Sequence, residues 1–419
     1  MDLKYGQQKL TYNIPEHNIE KIVRPREKEG LDAPQQEVAS SLKNPDQGPP
    51  LNVLLEEKCP EDILIIVNDV SRPTPYDIML PPLLEFLAHR GYHREDITFL
   101  VATGTHKPHT ESQNREVLGP KITEEYRVIS HRADRKDELI KTGTTSSGNR
   151  ITLNKLVINT DFVITTGVIL PHYFAGFSGG RKSIMPGVAG RKCIEKNHSR
   201  MVELIEGLPP LEENPIHREM MEAVEMIELD FIINVVTNSR REIVQVVCGD
   251  YHKAWLKGVQ TSEEMYYVKL PEKVDAAVVS AGGYPRDINL YQAQKALDHA
   301  DQVVKEQGTI ILAAECEDGL GEETFARWME EASHPEKNIE RIGEKFVLGG
   351  HKAFAVSKVV HNKELILISS LSPGQTEDLF ARKETNLQRA VDYLREKHGP
   401  DYRAVLMPEG SLTVPVIKN

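Results

Sequence analysis

The segment 162–183 decides the fold, because it joins an apolar strand to a glycine-rich loop. It reads FVITTGVILPHYFAGFSGGRKS, and its first part, Phe162–Thr165, predicts a buried strand that ends in polar and basic residues. Two earlier runs have the same form: Ile63–Val67 ends in NDVSRPTP, and Ile97–Ala102 ends in TGTHKPH. A helical pattern with leucines on one face lies between these two runs, at 78–90. Repeated strand–loop–helix units predict an α/β fold with mostly parallel sheets.

A change of rhythm near residue 270 divides the chain. Residues Leu3–Ile22 predict an N-terminal hairpin, and apolar runs at 232–247 predict a second hairpin or two adjacent strands. The strand pattern then restarts at Ala276–Ser280. We therefore predict an N-terminal α/β domain at 1–270, which carries the glycine-rich segment, and a smaller C-terminal α/β domain at 271–419. Because ligands of α/β sheets bind at the carboxyl ends of strands, the active site is expected in the cleft between the domains.

The composition excludes several classes of protein. The chain has 419 residues, 39% of them hydrophobic and 27% charged, which suits a globular protein of two or three domains. A net charge of −12 argues against nucleic-acid and anionic membrane partners. The start MDLKYGQQ resembles no secretory signal and no apolar run is long enough to span a bilayer, so a cytoplasmic location is expected. The four cysteines form no CxxC pair, which disfavours disulfides and a four-thiolate zinc site.

The stretch GFSGGRKS at Gly176–Ser183 has the composition of an anion-binding loop. Glycine lets backbone N–H groups approach a phosphate closely, and the two basic residues add positive charge. The stretch is not a Walker A motif, because Arg181 stands between the last glycine and Lys182 and no good helical sequence follows. Binding of some other phosphate group stays open, and so does a tight turn with solvent-facing Arg181 and Lys182.

Histidines gather after the predicted strands. His106 and His109 lie three apart in GTHKPH, His172 follows Pro171, and His198 lies in the helical pattern KCIEKNHSRM. A single histidine is more often structural than functional, but several at strand ends favour acid–base chemistry or metal binding. The absence of HExxH argues against a standard zinc hydrolase. A zinc site of His106, His109 and His172 stays an alternative.

A third set of polar residues lies in LYQAQKALDHA, in the C-terminal part of the chain. Tyr291 and Lys295 are four apart, so a helix would place them on one face, with Gln292 beside them. A lysine and an amide are suited to hold a carboxylate. Arg72, in SRPTP, offers the same chemistry. The alternative for both places is an ordinary solvated surface.

Five of these motifs together resemble the lactate racemase family: NDVSRPTP, TGTHKPHT, PHYFAGFSGGRKSIMPGVAG, NHSRM and GGYPRDINLYQAQKA, in this order over most of the chain. The resemblance implies two α/β domains with the active site between them. It implies a nickel-pincer cofactor, Ni(II) pyridinium-3,5-bisthiocarboxylic acid mononucleotide, which other proteins must build and load. The implied activity is inversion at C2 of a small-molecule 2-hydroxy acid, with lactate as the first expectation.

The resemblance also implies roles for individual residues. Lys182 would form the covalent thioamide link to the cofactor, and His198 would be the protein ligand to nickel. His106 and His172 would flank the substrate and exchange its hydroxyl proton. Arg72, Gln292 and Lys295 would hold the substrate carboxylate, with Tyr291 close by, and Asp69 would contact or orient the site. The chemistry of glycine, rather than the resemblance, places Gly176, Gly179 and Gly180 along the cofactor and its phosphate.

The implied parts belong together chemically. The C2 hydrogen of a 2-hydroxy acid is not acidic enough for easy removal as a proton, but it leaves more easily as hydride while a base takes the hydroxyl proton. No side chain accepts a hydride, so a cofactor must. Two histidines that titrate near neutrality supply a base for each enantiomer. Nickel suits soft sulfur donors with one imidazole.

One feature departs from the family pattern. A tryptophan from the C-terminal domain is expected over the substrate, but the chain has only Trp255 and Trp328, and the stretch His351–Val356 offers Phe354 instead. Malate, longer aliphatic or aromatic hydroxy acids, and C2 of a sugar acid therefore stay alternative substrates. A zinc-dependent hydrolase and a phosphate-binding regulatory module stay alternative functions.

Overall fold

The computed structural model describes residues 1–204 and 207–418. The strands are β1 (Asp2–Tyr5), β2 (Gln8–Thr11), β3 (Ile19–Ile22), β4 (Ile63–Asn68), β5 (Ile97–Ala102), β6 (Arg127–Ser130), β7 (Leu139–Thr144), β8 (Arg150–Asn154), β9 (Phe162–Val168), β10 (Pro171–His172), β11 (Gly176–Phe177), β12 (Phe231–Thr237), β13 (Ile243–Gly249), β14 (Tyr267–Leu270), β15 (Val274–Ser280), β16 (Val304–Ala313), β17 (Glu364–Ile368), β18 (Arg382–Glu384), β19 (Ala404–Met407) and β20 (Val414–Ile417). The α-helices are α1 (Pro34–Lys43), α2 (Leu51–Lys58), α3 (Tyr76–Ala88), α4 (Glu111–Leu118), α5 (Pro120–Glu125), α6 (Lys155–Asn159), α7 (Arg191–Ser199), α8 (Pro215–Glu225), α9 (Lys253–Tyr266), α10 (Leu290–Asp301), α11 (Glu323–Glu331), α12 (Glu336–Glu344), α13 (Gly350–Asn362), α14 (Pro373–Asp378) and α15 (Leu387–His398). None of the helices described is both long and apolar enough to cross a bilayer.

Two compact units make up the chain. The glycine-loop unit contains Glu27–Arg200 and Pro209–Met265. The C-terminal unit contains Met1–Arg26, the described part of Met201–Leu208, and the chain from Tyr266 onward. The predicted α/β fold with mostly parallel sheets is confirmed in both units.

The glycine-loop unit has a six-stranded sheet in the order β13-β12-β9-β4-β5-β6. All neighbours are parallel except β12 and β13, which form the antiparallel pair that the runs at 232–247 predict. The side chains of β4 are buried from Ile63 to Val67, as expected of a parallel strand covered on both faces. Helix α3 adds Leu80, Leu83 and Leu87 to the core against this sheet.

The strand order brings three functional segments to one edge of that sheet. Strand β4 lies between β9 and β5 and is parallel to both. The loops that follow these three strands contain Asp69–Arg72, Thr103–His109 and the segment from Ile169 to Lys182. The carboxyl ends of neighbouring parallel strands share an edge, so these loops lie side by side.

The C-terminal unit has a second six-stranded sheet, in the order β18-β17-β16-β15-β19-β3, with every neighbouring pair parallel. Its edge strand β3 comes from Ile19–Ile22, far in sequence from the other five strands of this sheet. The boundary predicted at residue 270 placed residues 1–26 in the other domain, whereas the structure pairs Ile22 with Leu406 of β19. The predicted N-terminal hairpin is also shorter, because only β1 and β2 pair with each other.

Candidate active site

Asp69 and His106 form a hydrogen-bonded pair at the ends of β4 and β5. The Asp69 Oδ2 and His106 Nδ1 atoms are 2.6 Å apart, and the Ser71 hydroxyl donates to Asp69 Oδ1 at 2.6 Å. The side chain of Asp69 is 8% exposed and that of His106 is 54% exposed. Burial raises the pKa of Asp69, but the hydrogen bonds from His106 and Ser71 outweigh it and hold the pKa below its ordinary value. The ionised carboxylate can only accept, so His106 Nδ1 donates and Nε2 presents its lone pair as a base.

His109 has a structural role in the same pair of loops. Its Nε2 accepts a hydrogen bond from the backbone N–H of Val70 at 3.0 Å, and its Nδ1 lies 3.1 Å from Asn114 Oδ1. Both ring nitrogens are therefore engaged in fixing the loop. Among the residues described, no group of three or more histidine, cysteine or acidic side chains is placed to hold a metal ion. The alternative of a zinc site built from His106, His109 and His172 is therefore not supported by the described residues.

His172 lies in β10, which pairs with β11 to fold the segment after β9 back on itself. Its Nδ1 accepts the backbone N–H of Ala175 at 3.4 Å, and its ring packs on Tyr173 and Phe174. In the neutral ring this leaves the proton on Nε2. His106 and His172 are thus held in opposite tautomers, one presenting a base and the other an N–H donor.

Phe174 is the residue around which this part of the site is built, although sequence analysis did not select it. Its ring centroid is 4.5 Å from that of His172 and 4.9 Å from that of His198, and it lies 5.6 Å from Lys182 Nζ. The side chain is 6% exposed. An aromatic residue two positions after a strand-end histidine is the only signal that the sequence carried.

Lys182 and His198 have pKa values that favour their neutral forms. Lys182 lies in a short 3₁₀ turn, Gly180–Ser183, and His198 lies in α7, as predicted. Burial, then the charges of Arg72 and Arg181, lower the pKa of Lys182 well below its ordinary value. Burial, then the charge of Lys182, lower the pKa of His198 to about 3. Near pH 7 His198 is therefore neutral, and it has a lone pair to offer a metal.

Arg181 is fully buried, so the alternative of a turn with solvent-facing basic residues is wrong for this side chain. Its guanidinium donates to the carbonyl oxygens of Ala175 and Phe177 at 2.6 and 2.9 Å, and to His217 Nδ1 at 2.9 Å. It also stacks on the Trp255 ring at 4.0 Å. These contacts fix the loop that carries His172, so Arg181 has a structural role in stabilising that loop.

The three glycines of the loop are needed for backbone conformation and close packing. Gly176, Gly179 and Gly180 have φ values of +76°, +71° and +50°, in the region that side-chain-bearing residues avoid. A Cβ atom on Gly180 would lie 2.7 Å from the Trp255 ring. The Gly180 N–H donates to Asn234 Oδ1 at 2.8 Å, so this N–H already has a protein acceptor. A role of these glycines along a cofactor stays a prediction.

Tyr291, Gln292 and Lys295 lie in the first turns of α10, which begins at Leu290 after its cap Asn289. Lys295 Nζ donates to Gln292 Oε1 at 3.1 Å, so the ammonium and the amide N–H₂ group lie in one cluster of donors. Burial, then the charge of Glu322, raise the pKa of Tyr291 to about 12. The positive end of a helix together with these donors suits a carboxylate.

The C-terminal tryptophan and Phe354 are both packed in the core. Trp328 is 7% exposed and Phe354 on α13 is 3% exposed. The Arg341 guanidinium lies 5.1 Å from the Trp328 ring centroid. Substitution of Phe354 for a substrate-covering tryptophan stays a prediction.

Comparison with known proteins places the chain in a family. Residues 5–206 match the Lactate racemase N-terminal domain, and residues 270–416 match the Lactate racemase C-terminal domain. The lactate racemase of Thermoanaerobacterium thermosaccharolyticum is 32% identical over 421 residues, which cover 98% of this chain and 97% of that protein. The lactate racemase of Lactiplantibacillus plantarum is 31% identical over 423 residues, covering 98% of each.

Solved structures agree with these matches. The lactate racemase apoprotein of T. thermosaccharolyticum superposes with a TM-score of 0.89 at 30% identity, over 100% of both chains. A Thermotoga maritima protein has a TM-score of 0.65 at 17% identity, covering 93% of this chain and 100% of that one, which shows a shared fold. The chain is an isomerase of the racemase type, and the alternatives of a hydrolase and a regulatory module are set aside. It belongs to the lactate racemase family.

Proposed function

We propose that this chain racemises lactate with a nickel-pincer pyridinium mononucleotide attached to Lys182 and ligated by His198. The observation that carries the proposal is the arrangement of Lys182 and His198 against Phe174, with both nitrogens in surroundings that favour the neutral form. A neutral amine is the form that makes an amide-type bond, and a neutral imidazole is the form that binds a metal.

The surrounding charges fit this cofactor. Arg72 and Arg181 are near enough to Lys182 to lower its pKa, so the pocket is electropositive. A mononucleotide has a phosphate and the substrate has a carboxylate, and both anions are favoured at such a place. When bound, the cofactor would supply an acceptor for the hydride that leaves substrate C2, which the side chains cannot provide.

His106 is the proposed base for the hydroxyl proton of one enantiomer. Asp69 fixes its ring and stabilises the imidazolium that forms when Nε2 takes the proton. This is the role that the structure supports for Asp69, beside the predicted contact with the cofactor.

His172 is the proposed partner on the other face of the substrate. With the proton on Nε2, the ring donates a hydrogen bond to the substrate oxygen. For the opposite enantiomer the ring would act as base in its other tautomer, with the proton on Nδ1 in place of the Ala175 hydrogen bond and the Nε2 lone pair turned to the substrate hydroxyl. The packing of Tyr173 and Phe174 on this ring limits its rotation.

Arg72, Gln292 and Lys295 are the proposed ligands of the substrate carboxylate, with Tyr291 beside them. The donor cluster of Gln292 and Lys295 supports this role. Fixing the carboxylate keeps C2 in place while the keto form turns its other face. The proteins that build the cofactor are the expected partners in loading, and a cytoplasmic location stays a prediction.

Mass spectrometry tests the proposal. The intact mass of the chain produced with its cofactor-building partners should exceed the sequence mass, and the additional mass should map to Lys182. Lys182→Arg keeps a positive charge but should remain unmodified and inactive, whereas Lys192→Arg, on the exposed side of α7, should behave as the unchanged chain. Active enzyme with unmodified Lys182 would refute the mechanism. Loss of optical purity in a panel of single-enantiomer acids, including lactate, malate and larger hydroxy acids, then defines the substrate.

A further inference from the structure

The side chain of Asn197 contacts the ring of its neighbour His198. Both residues lie in α7, and Asn197 Oδ1 is 3.2 Å from His198 Nδ1. Asn197 is completely buried, with 0% of its surface exposed. An amide oxygen turned towards Nδ1 favours a proton on that ring nitrogen, whereas an amide N–H₂ group would favour its lone pair.

Two acceptors fix the direction of the Asn197 amide. Its Nδ2 donates to Glu219 Oε2 at 2.8 Å and to the backbone carbonyl of Ile216 at 3.2 Å. A carbonyl and a carboxylate have no proton to give, so the reversed amide would set its oxygen against two further acceptors. Oδ1 must then face His198, and since an amide oxygen only accepts, His198 Nδ1 donates.

Glu219 is itself held in place by neutral donors. It lies in α8 and is 1% exposed. Its Oε2 also accepts from Asn149 Nδ2 at 3.0 Å, and its Oε1 accepts from the hydroxyls of Thr145, at 3.3 Å, and Ser147. These partners are amide and hydroxyl groups that donate, so Glu219 accepts from each of them.

We propose that Glu219 and Asn197 are positioning residues that hold His198 in its Nδ1–H tautomer, so that Nε2 is the ligating atom. The proposal deepens the proposed function, since it rests on His198 as the nickel ligand. Metal-binding histidines commonly donate the N–H of their second ring nitrogen to such a partner, which fixes the tautomer and the orientation of the ring. Here an amide stands between the imidazole and the carboxylate.

Nuclear magnetic resonance of the full chain without cofactor tests the tautomer directly. The chain is labelled with ¹⁵N-histidine, and long-range ¹H–¹⁵N spectra are recorded at pH 8, above the ordinary pKa of histidine. His198→Gln identifies the signals of His198 by their loss. We expect the pattern of an Nδ1–H ring. The pattern of an Nε2–H ring in the unchanged chain would overturn the proposal whatever the variants show.

Two substitutions at Glu219 separate positioning from packing. Glu219→Leu fills a similar space but removes the acceptor, so the Asn197 amide is released and the Nδ1–H pattern of His198 should be lost. Glu219→Gln should keep that pattern, because its amide oxygen still accepts from Asn197 and its N–H₂ group can donate to the Thr145 and Ser147 hydroxyls. An unchanged pattern in Glu219→Leu would overturn the role of Glu219. If that variant does not fold, Asn197→Ser removes the acceptor at the ring and must give the same loss.

These measurements are independent of cofactor loading. An Nε2–H ring together with an adduct on Lys182 would overturn the tautomer proposal and leave the proposed function standing. If the Nδ1–H ring depends on Glu219 but the enzyme is active with Lys182 unmodified, the proposed function is refuted. The positioning of the His198 ring by Glu219 and Asn197 would still stand.

Discussion

Replacing Asp69 by asparagine should impair catalysis through His106. The amide occupies the space of the carboxylate, and its oxygen can still accept from His106 Nδ1, with its N–H₂ group turned to the Ser71 hydroxyl. What the change removes is the negative charge beside the ring. The imidazolium that forms when His106 takes the hydroxyl proton would then lose its counter-ion.

The size of the effect follows from the geometry of the pair. The Asp69–His106 distance is 2.6 Å and the carboxylate is 8% exposed, so the hydrogen bond is short, charge-assisted and little screened by water. A hydrogen bond to a charged group contributes about 1.5–3 kcal/mol and one between neutral groups about 0.5–1.5 kcal/mol, so removal of the charge alone costs about 1–1.5 kcal/mol. Lost from the transition state, that corresponds to a fall in kcat/KM of about 5- to 12-fold.

The assay follows loss of optical purity of one lactate enantiomer, with rates divided by the fraction of chain that has the Lys182 adduct. This correction removes any effect of the substitution on loading. Asp134→Asn is the matched control, because Asp134 follows the neighbouring strand β6 but forms an exposed ion pair with Arg191. It should leave the rate unchanged. A corrected kcat/KM for Asp69→Asn within about 3-fold of the unchanged enzyme would refute the role of His106 as a base supported by Asp69.

Two further substitutions have outcomes that the contacts define. Lys295→Met removes a proposed carboxylate ligand and should lower kcat/KM about 10- to 100-fold, whereas Lys305→Met, in an exposed ion pair, should not; equal effects would contradict the assignment. His131 is fully buried, and burial lowers its pKa from 6.5 to about 4, so the unfolded chain takes up a proton before the native one as the pH falls. Its contribution to stability, about 3 kcal/mol, is therefore present above pH 6.5 and lost between pH 6.5 and 4. His131→Gln can accept from Asn154 and donate to the Ala189 carbonyl, so urea unfolding at pH 7 and pH 4.5 should differ less than in the unchanged chain, and an equal difference would contradict this.

Ligands of parallel sheets bind where the strands end, and for this reason many residues of the candidate site could be selected from the sequence. Short apolar runs such as Ile63–Val67 are local signals, and each is followed by its polar residues within a few positions. The predicted helices around His198 and Lys295 also depend on local patterns, and both are found. Local periodicity is sufficient for features of this kind.

Other features depend on contacts between distant residues. Asp69 and His106 are 37 positions apart, and they meet because β4 and β5 are neighbours in the sheet. Strand β3 pairs with β19, although most of the chain separates the two strands in sequence. No local pattern near Ile19–Ile22 indicates this pairing. The sequence left open whether Arg181 binds an anion or faces solvent, because the residues that bury it, Trp255 and three hydrogen-bond acceptors, are not indicated by its local pattern.

The charges around Lys182 give a physical reason for the proposed occupant. Arg181 is buried with two backbone carbonyls and a neutral histidine as its acceptors, and burial lowers its pKa to about 9. Lys182, beside it, is held towards the neutral form by the same burial and by two arginines. Burial of cations costs stability unless a counter-charge is present. The proposed anionic cofactor, if attached at Lys182, would remove one amine from titration and supply negative charge to the arginines, so this arrangement would favour the loaded protein over the chain alone.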